Sequence, residues 1–141
     1  MSCPTIAFTS GCFDGGVHAG HRHLLLCMRE NADIIHVAVN SDSYIRRKKN
    51  REPIYTCSER MAQLKATGLV DEVSRFDEDG PLASILRIKP DFIVVGDDYT
   101  LDRVVGAKEC EMWNGRIVII PRLPGISTTQ ILQQQKDKHN E

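Results

Sequence analysis

Several features are missing from this chain, and each absence excludes something. No apolar run approaches the roughly 20 residues of a membrane span, so membrane insertion is not expected. The opening "MSCPTIAFTS" has no basic stretch ahead of a long apolar core, so a secretory signal is not expected either. There is no C-x-x-C pair, and the five cysteines (Cys3, Cys12, Cys27, Cys57, Cys110) are odd in number and scattered. A disulfide framework does not fit that pattern, and reduced thiols in a cytoplasmic setting do. A strong charge is also lacking. The formal net charge is -1, whereas a general nucleic-acid binder would be basic. No internal repeat and no low-complexity linker interrupts the sequence. What remains is ordinary globular composition, 41% hydrophobic and 26% charged over 141 residues, which fits a single domain over 1–141 with a full core.

The order of elements follows from periodicity and punctuation. "TIAFTS" predicts a buried strand and "HRHLLLCMRENA" a helix. "DIIHVAVN", apolar on both faces, predicts a central parallel strand. The basic run 46–51, "RRKKNR", predicts a loop, and "SERMAQLKATGL" a helix capped by Ser58. "DEVSRF", "DFIVVG" and "GRIVIIP" predict further strands. "PLASILRI", with Pro81 in its first turn, "RVVGAKECEMW" and "STTQILQQQ" predict helices, and 135–141 a frayed polar tail. Strands alternating with helices imply an α/β fold with a five-stranded parallel sheet and helices on both faces. Ligands in such sheets bind at the carboxyl ends of the strands. Four of the five predicted strands end in polar or glycine-rich segments: "SGCFDGG", "NSD", "GDDY" and "PRLPGISTT".

The richest of these is "SGCFDGGVHAGHRHLLL". Gly11, Gly15, Gly16 and Gly20 permit close approach of backbone to a ligand. A flexible loop feeding a helix start presents free N–H groups and a favourable dipole to phosphate. His18 and His21, three apart, can share one side as the helix begins. Two imidazoles there can donate to oxygens that gain charge in a transition state.

"GCFD" followed by "HAGH" resembles the H-x-G-H signature of the cytidylyltransferase-like nucleotidyltransferases, usually G-x-F-D-x-x-H-x-G-H. The spacer here, "GGV", is one residue longer. The resemblance continues through "VAVNSD", "RFDEDGP", "KPDFIVVGDDY", "VVGAKE" and "GISTTQIL", which look like the nucleotidyltransferase half of bacterial ADP-heptose synthase. "PRLPGISTT" looks equally like glycerol-3-phosphate cytidylyltransferase. Those cytidylyl enzymes usually carry R-Y-V-D-E-V, whereas this chain has "GLVDEV", with Gly68 where their arginine falls.

The resemblance implies a Rossmann-like three-layer sandwich and transfer of a nucleotidyl group to a phosphate acceptor. ATP with D-glycero-D-manno-heptose 1-phosphate is favoured, CTP with glycerol 3-phosphate is the alternative, and pyrophosphate is released. It implies Mg2+ as cofactor with no dedicated protein ligands, and a homodimer. His18, His21 and Lys49 are the implied catalytic residues. Gly11, Cys12, Phe13, His18, His21, Gly96, Asp97, Asp98, Arg122, Gly125, Ile126, Ser127, Thr128 and Thr129 are the implied nucleotide-binding residues. Asp14, Lys48, Lys49 and Arg60 are placed at the acceptor phosphate, with the basic run as an arm that delivers its lysines.

Plainer readings stand beside these. The histidines could be solvated, or join Cys12 and His23 in a zinc site, although that spacing matches no common zinc pattern. The basic run could be a solvated loop or touch nucleic acid. Arg60 could be a surface ion-pair residue. "GDDYT" could simply form a turn, and Ser127 could simply cap its helix. A nucleotide-binding regulator on the same fold is the alternative of another class. His23, His36 and His139 are assigned no chemistry.

Overall fold

A computed structural model of the chain describes residues 4–17, 19–96 and 103–121. The described elements are β1 (Ile6–Gly11), α1 (Ala19–Asn31), β2 (Ile34–Asn40), α2 (Asp42–Lys49), α3 (Cys57–Ala66), β3 (Glu72–Phe76), α4 (Leu82–Ile88), β4 (Phe92–Gly96), a short 3-10 helix (Glu109–Trp113) and β5 (Arg116–Ile120). The strands form one sheet in the order β3-β2-β1-β4-β5, and every pairing is parallel. Alternate residues of each strand face opposite sides. Ala7, Ile35, Val37, Val39 and Val94 meet Leu25, Met28 and Leu64 from α1 and α3 on one face. On the other, Phe8, Ala38 and Ile93 meet Ile85 of α4 with Val104 and Cys110. Burying an aliphatic side chain such as Leu64, fully enclosed, stabilises by about 1.5–3 kcal/mol. The result is the parallel α/β sheet with helices on both faces read from the alternation, and the Rossmann-like three-layer sandwich that the resemblance implies.

Aspartates set the amino-terminal edge of the sheet. Asp33, just ahead of β2, accepts the Thr5 N–H at 3.0 Å. Asp91, ahead of β4, accepts the Ile6 N–H at 2.8 Å. Asp71, ahead of β3, accepts the Ile35 N–H at 2.8 Å and pairs with Arg29. Each carboxylate satisfies a backbone donor that would otherwise lack a partner at the strand entry. The opposite, carboxyl edge is left for loops.

Three local expectations are corrected. Residues 42–49 of the basic region form a helix rather than a loop, because Ser41 caps α2 by accepting the Tyr44 N–H at 3.1 Å. The cap of α3 is Thr56, not Ser58: Thr56 accepts the Glu59 N–H and Glu59 accepts the Thr56 N–H, a capping box. The segment 103–113 is a series of turns ending in the 3-10 helix, not an α-helix. Gly106 there takes φ +89, which a right-handed helix cannot contain. The predicted helix "STTQILQQQ" and the tail at 135–141 lie outside the described residues.

Candidate active site

β1 and β4 pair only through Ala7 with Phe92 and Phe8 with Ile93. Beyond those residues the two strands exchange no further ladder bonds, and the Thr9 hydroxyl reaches across to the Val94 carbonyl at 2.7 Å. β2 lies on one side of β1 and β4 on the other, so this parting falls where the strand order reverses. That is the crevice in which open parallel sheets bind ligands. A cavity of about 250 Å³ occupies it, with Phe8, Ile85, Ile93 and Val104 as apolar walls and Gly11, Cys12, Phe13, His21 and Gly96 at the strand ends. The size is near the lower end for small-molecule sites, about 300–1,000 Å³.

The loop after β1 is built around Phe13. Its backbone sits at φ 54, a left-handed conformation unusual for a bulky residue. The Gly16 N–H closes a tight turn on the Phe13 carbonyl at 3.2 Å, and Gly16 itself takes φ +86. The Phe13 ring is buried and packs on the His21 imidazole, with centroids 4.6 Å apart and planes inclined by 52°. His21 in the first turn of α1 is thus held at the cavity by an aromatic face, whatever the length of the "GGV" spacer. His18 lies outside the described residues, as do Asp97, Asp98, Arg122, Gly125, Ile126, Ser127, Thr128 and Thr129.

Asp14 is engaged within the protein. It is buried, and its carboxylate accepts from Arg51 Nη1, from the Ile54 N–H at 2.8 Å and from the Tyr55 N–H at 3.2 Å. Burial pushes its pKa up, but the Arg51 bond and the two backbone donors outweigh that and hold it below the ordinary value. Asp14 therefore ties the glycine-rich loop to the chain leading into α3. Arg60 is corrected likewise. It has no exposed surface, and its guanidinium donates to the Tyr55, Cys12 and Asn40 carbonyls and to Asp42. It is a buried cross-link between α3, the loop after β1 and the end of β2.

The basic helix α2 is tethered, not a free arm. Lys48 Nζ lies 3.2 Å from Asp79, and Arg47 donates to the Asp77 carbonyl at 2.9 Å. Arg46 pairs with Glu52 at 2.9 Å. The Lys48 bond is the leading reason the Asp79 pKa is lowered. Lys49, at the carboxyl end of α2, is exposed and has no ion-pair partner among the described residues. No group of three His, Cys, Asp or Glu side chains among the described residues could hold a metal ion. Cys12, the described cysteine at this cavity, is a free thiol 3.4 Å from Asn40 Oδ1. Arg51, Thr9 and Ile85 escaped the sequence reading. Arg51 stands 37 residues from the Asp14 it pairs with and had no signal beyond its place in the basic run, whereas Thr9 and Ile85 look like any core positions.

The cytidylyltransferase-like family model matches residues 8–134. The chain belongs to the cytidylyltransferase-like family. Membership in it places the chain among the nucleotidyltransferases. Relatives include the bifunctional protein HldE of Acidiphilium cryptum, 46% identical over 125 residues that make up 88% of this chain and 26% of that protein. The HldE of Syntrophotalea carbinolica is 39% identical over 97% of this chain and 28% of its own length. The chain thus spans about a quarter of the length of these relatives. Among solved structures, the lipopolysaccharide core biosynthesis protein of Thermoplasma volcanium matches with TM-score 0.68 at 23% identity, covering 88% of this chain and all of that one. Pantothenate synthetase of Thermus thermophilus matches with TM-score 0.60 at 17% identity, over 94% of this chain and 64% of that one. At these identities the two structures speak for the fold alone. No helix among the described residues is long and apolar enough to cross a membrane.

Proposed function

We propose that this protein transfers an adenylyl group from ATP to a sugar phosphate of the heptose 1-phosphate type, with release of pyrophosphate. The observation that carries the nucleotidyl part is the cleft at the β1/β4 parting, where Phe13 fixes His21 beside the strand ends. The sugar-phosphate part rests on identity with HldE proteins over most of this chain and on Gly68 standing where the cytidylyl enzymes carry arginine.

In this reading an acceptor phosphate oxygen attacks the α-phosphorus in line. The new P–O bond forms as the α–β bridging bond breaks, and the electron pair leaves with pyrophosphate. The acceptor is already an anion, so no general base is needed. Catalysis is positioning plus stabilisation of charge. His18, His21 and Lys49 would donate to the α-phosphate as it becomes five-coordinate. Arg122 and the helix start at Ser127 would hold the departing phosphates. Magnesium is taken as part of the donor, as its nucleotide complex. Asp14, the carboxylate within the glycine-rich loop, is already satisfied by Arg51 and two backbone donors and is a poor ligand for it.

Competition between ATP and CTP, with heptose 1-phosphate and glycerol 3-phosphate as acceptors, tests the assignment. A site shaped for a purine should reject a pyrimidine by roughly 10²-fold. Preference for CTP with glycerol 3-phosphate would overturn the substrate assignment. Tight nucleotide binding without turnover on any acceptor would favour a regulator.

A further inference from the structure

Arg60 is a cation with no exposed surface. Enclosing such a charge is costly unless every donor finds a partner. Here Nε donates to the Tyr55 carbonyl at 3.0 Å, and Nη2 to Asp42 Oδ1 at 2.7 Å. Nη1 donates to both the Cys12 carbonyl at 2.8 Å and the Asn40 carbonyl at 2.7 Å. Those two carbonyls belong to the residue just past β1 and to the last residue of β2. Joining α3 to its neighbours would need only an apolar side chain. A planar fork is needed to fix the direction of two carbonyls.

That direction has a consequence for the next peptide group. In a trans peptide the C=O and the following N–H point opposite ways, and the described chain contains no cis bond. Arg60 draws the Cys12 carbonyl toward the β2 side of β1, so the Phe13 N–H points toward the β4 side. The cavity lies on that side, and both Cys12 and Phe13 line it. The Phe13 N–H donates to no acceptor among the described residues. Its residue is held at φ 54, a strained setting that persists only where surroundings over-determine it. The Arg60 bond to Cys12 on one side and the Gly16 turn on the other supply that constraint.

We propose that Arg60 is a positioning residue of the nucleotidyl transfer: by gripping the Cys12 carbonyl it turns the Phe13 N–H into the cleft as a fixed donor to a phosphate oxygen of the donor triphosphate. The inference rests on the nucleotidyl-transfer reading given above.

The chain has four phenylalanines, so labelling them with 15N gives an amide spectrum in which Phe13 can be followed. On titration with inorganic tripolyphosphate or ATP, the Phe13 amide is expected to shift downfield more than those of Phe8, Phe76 and Phe92. Arg60→Lys keeps the charge and loses the fork. It should abolish that shift and lower kcat about 10²-fold, as misplacement by about 1 Å does, with KM for the acceptor little changed. Leu64→Ala, a core truncation on the same helix, should lower Tm yet keep both the shift and kcat. Should Arg60→Lys fail to fold, Arg60→Gln serves, a neutral side chain without the fork that leaves no unpaired buried charge; it should lose the Phe13 shift likewise.

A silent Phe13 amide in wild type that binds ATP would overturn the proposal. So would a normal kcat in Arg60→Lys, a retained shift in Arg60→Gln, or an equal kcat loss in Leu64→Ala. A Phe13 response to tripolyphosphate without turnover on any nucleotide would instead defeat the transfer reading and leave Arg60 orienting an anion donor.

Discussion

At the scale of single residues, His21 is placed by what lies beneath it. The Phe13 ring supports the imidazole, and a left-handed backbone holds that ring in place. His21→Ala is expected to lower turnover ~10²–10³-fold, the usual effect of removing a preorganised donor to transition-state charge, while Tm stays near wild type. A variant within a few-fold of wild type would remove His21 from the mechanism. The residue types of this loop were readable in sequence because histidine and glycine at a helix start are unusual in company. The burial of Arg60 was not readable. An arginine in "SERM" looks like a surface residue until the fold wraps four backbone and side-chain acceptors around it.

His36 makes a second residue-level case, away from the cleft. It stacks on Phe8 with centroids 5.8 Å apart, and its Nε2 lies 2.8 Å from the Ser74 hydroxyl. Burial lowers its pKa below 6.5; Glu72 acts the other way, and Arg87 adds to the lowering. The folded state therefore binds this proton less readily than the unfolded chain. Stability is full above the unfolded pKa and declines as pH falls through 6.5 toward the folded value. Tm measured from pH 7.5 to 5 should fall for wild type and fall less for His36→Phe, which keeps a ring against Phe8 but cannot titrate. Parallel slopes for the two proteins would contradict the assignment.

At the scale of elements, the misread boundaries share a cause. A cap depends on backbone geometry that neighbouring polar residues disguise. Thr56, Ser58 and Glu59 all suit a helix start, and only the reciprocal bonds single out Thr56. Thr56→Ala should therefore destabilise the protein by about 1 kcal/mol, and Ser58→Ala, at an exposed position inside the first turn, by far less. Chemical denaturation of the pair decides between them. Charge misled in the same way along 46–51. A basic run reads as a solvated loop until Ser41 caps it and the acids at 77 and 79 receive its side chains. Gly106 closes the third case. A β-carbon there would come within 3.0 Å of Ile85 Cδ1 and 3.1 Å of Ile93 Cδ1, at a φ of +89. Gly106→Ala should cost about 1–3 kcal/mol, seen as a lower denaturation midpoint at unchanged slope. No loss would mean that this segment accommodates a helix after all.

At the scale of the whole molecule, strand type and order of occurrence followed from the alternation of apolar runs and helices, with the run at β2 apolar on both faces. The spatial order β3-β2-β1-β4-β5 did not, since it depends on which crossovers place α1 and α3 on one face and α4 on the other. That order creates the cleft, by setting β1 between two neighbours and letting β4 part from it after two residue pairs. Membership in the cytidylyltransferase-like family places the chain among the nucleotidyltransferases, and the transfer proposed above is assigned to this cleft.

The central claim is direct transfer of a nucleotidyl group to an acceptor phosphate at this cleft. Phosphorus NMR of the protein with magnesium ATP and heptose 1-phosphate tests it most directly. Pyrophosphate and a new pyrophosphate-linked sugar nucleotide should appear together in equal amounts, and neither should form when the acceptor is left out. Pyrophosphate released at the same rate without acceptor, or no new sugar-nucleotide pyrophosphate signal with any nucleotide and sugar phosphate, would contradict the account.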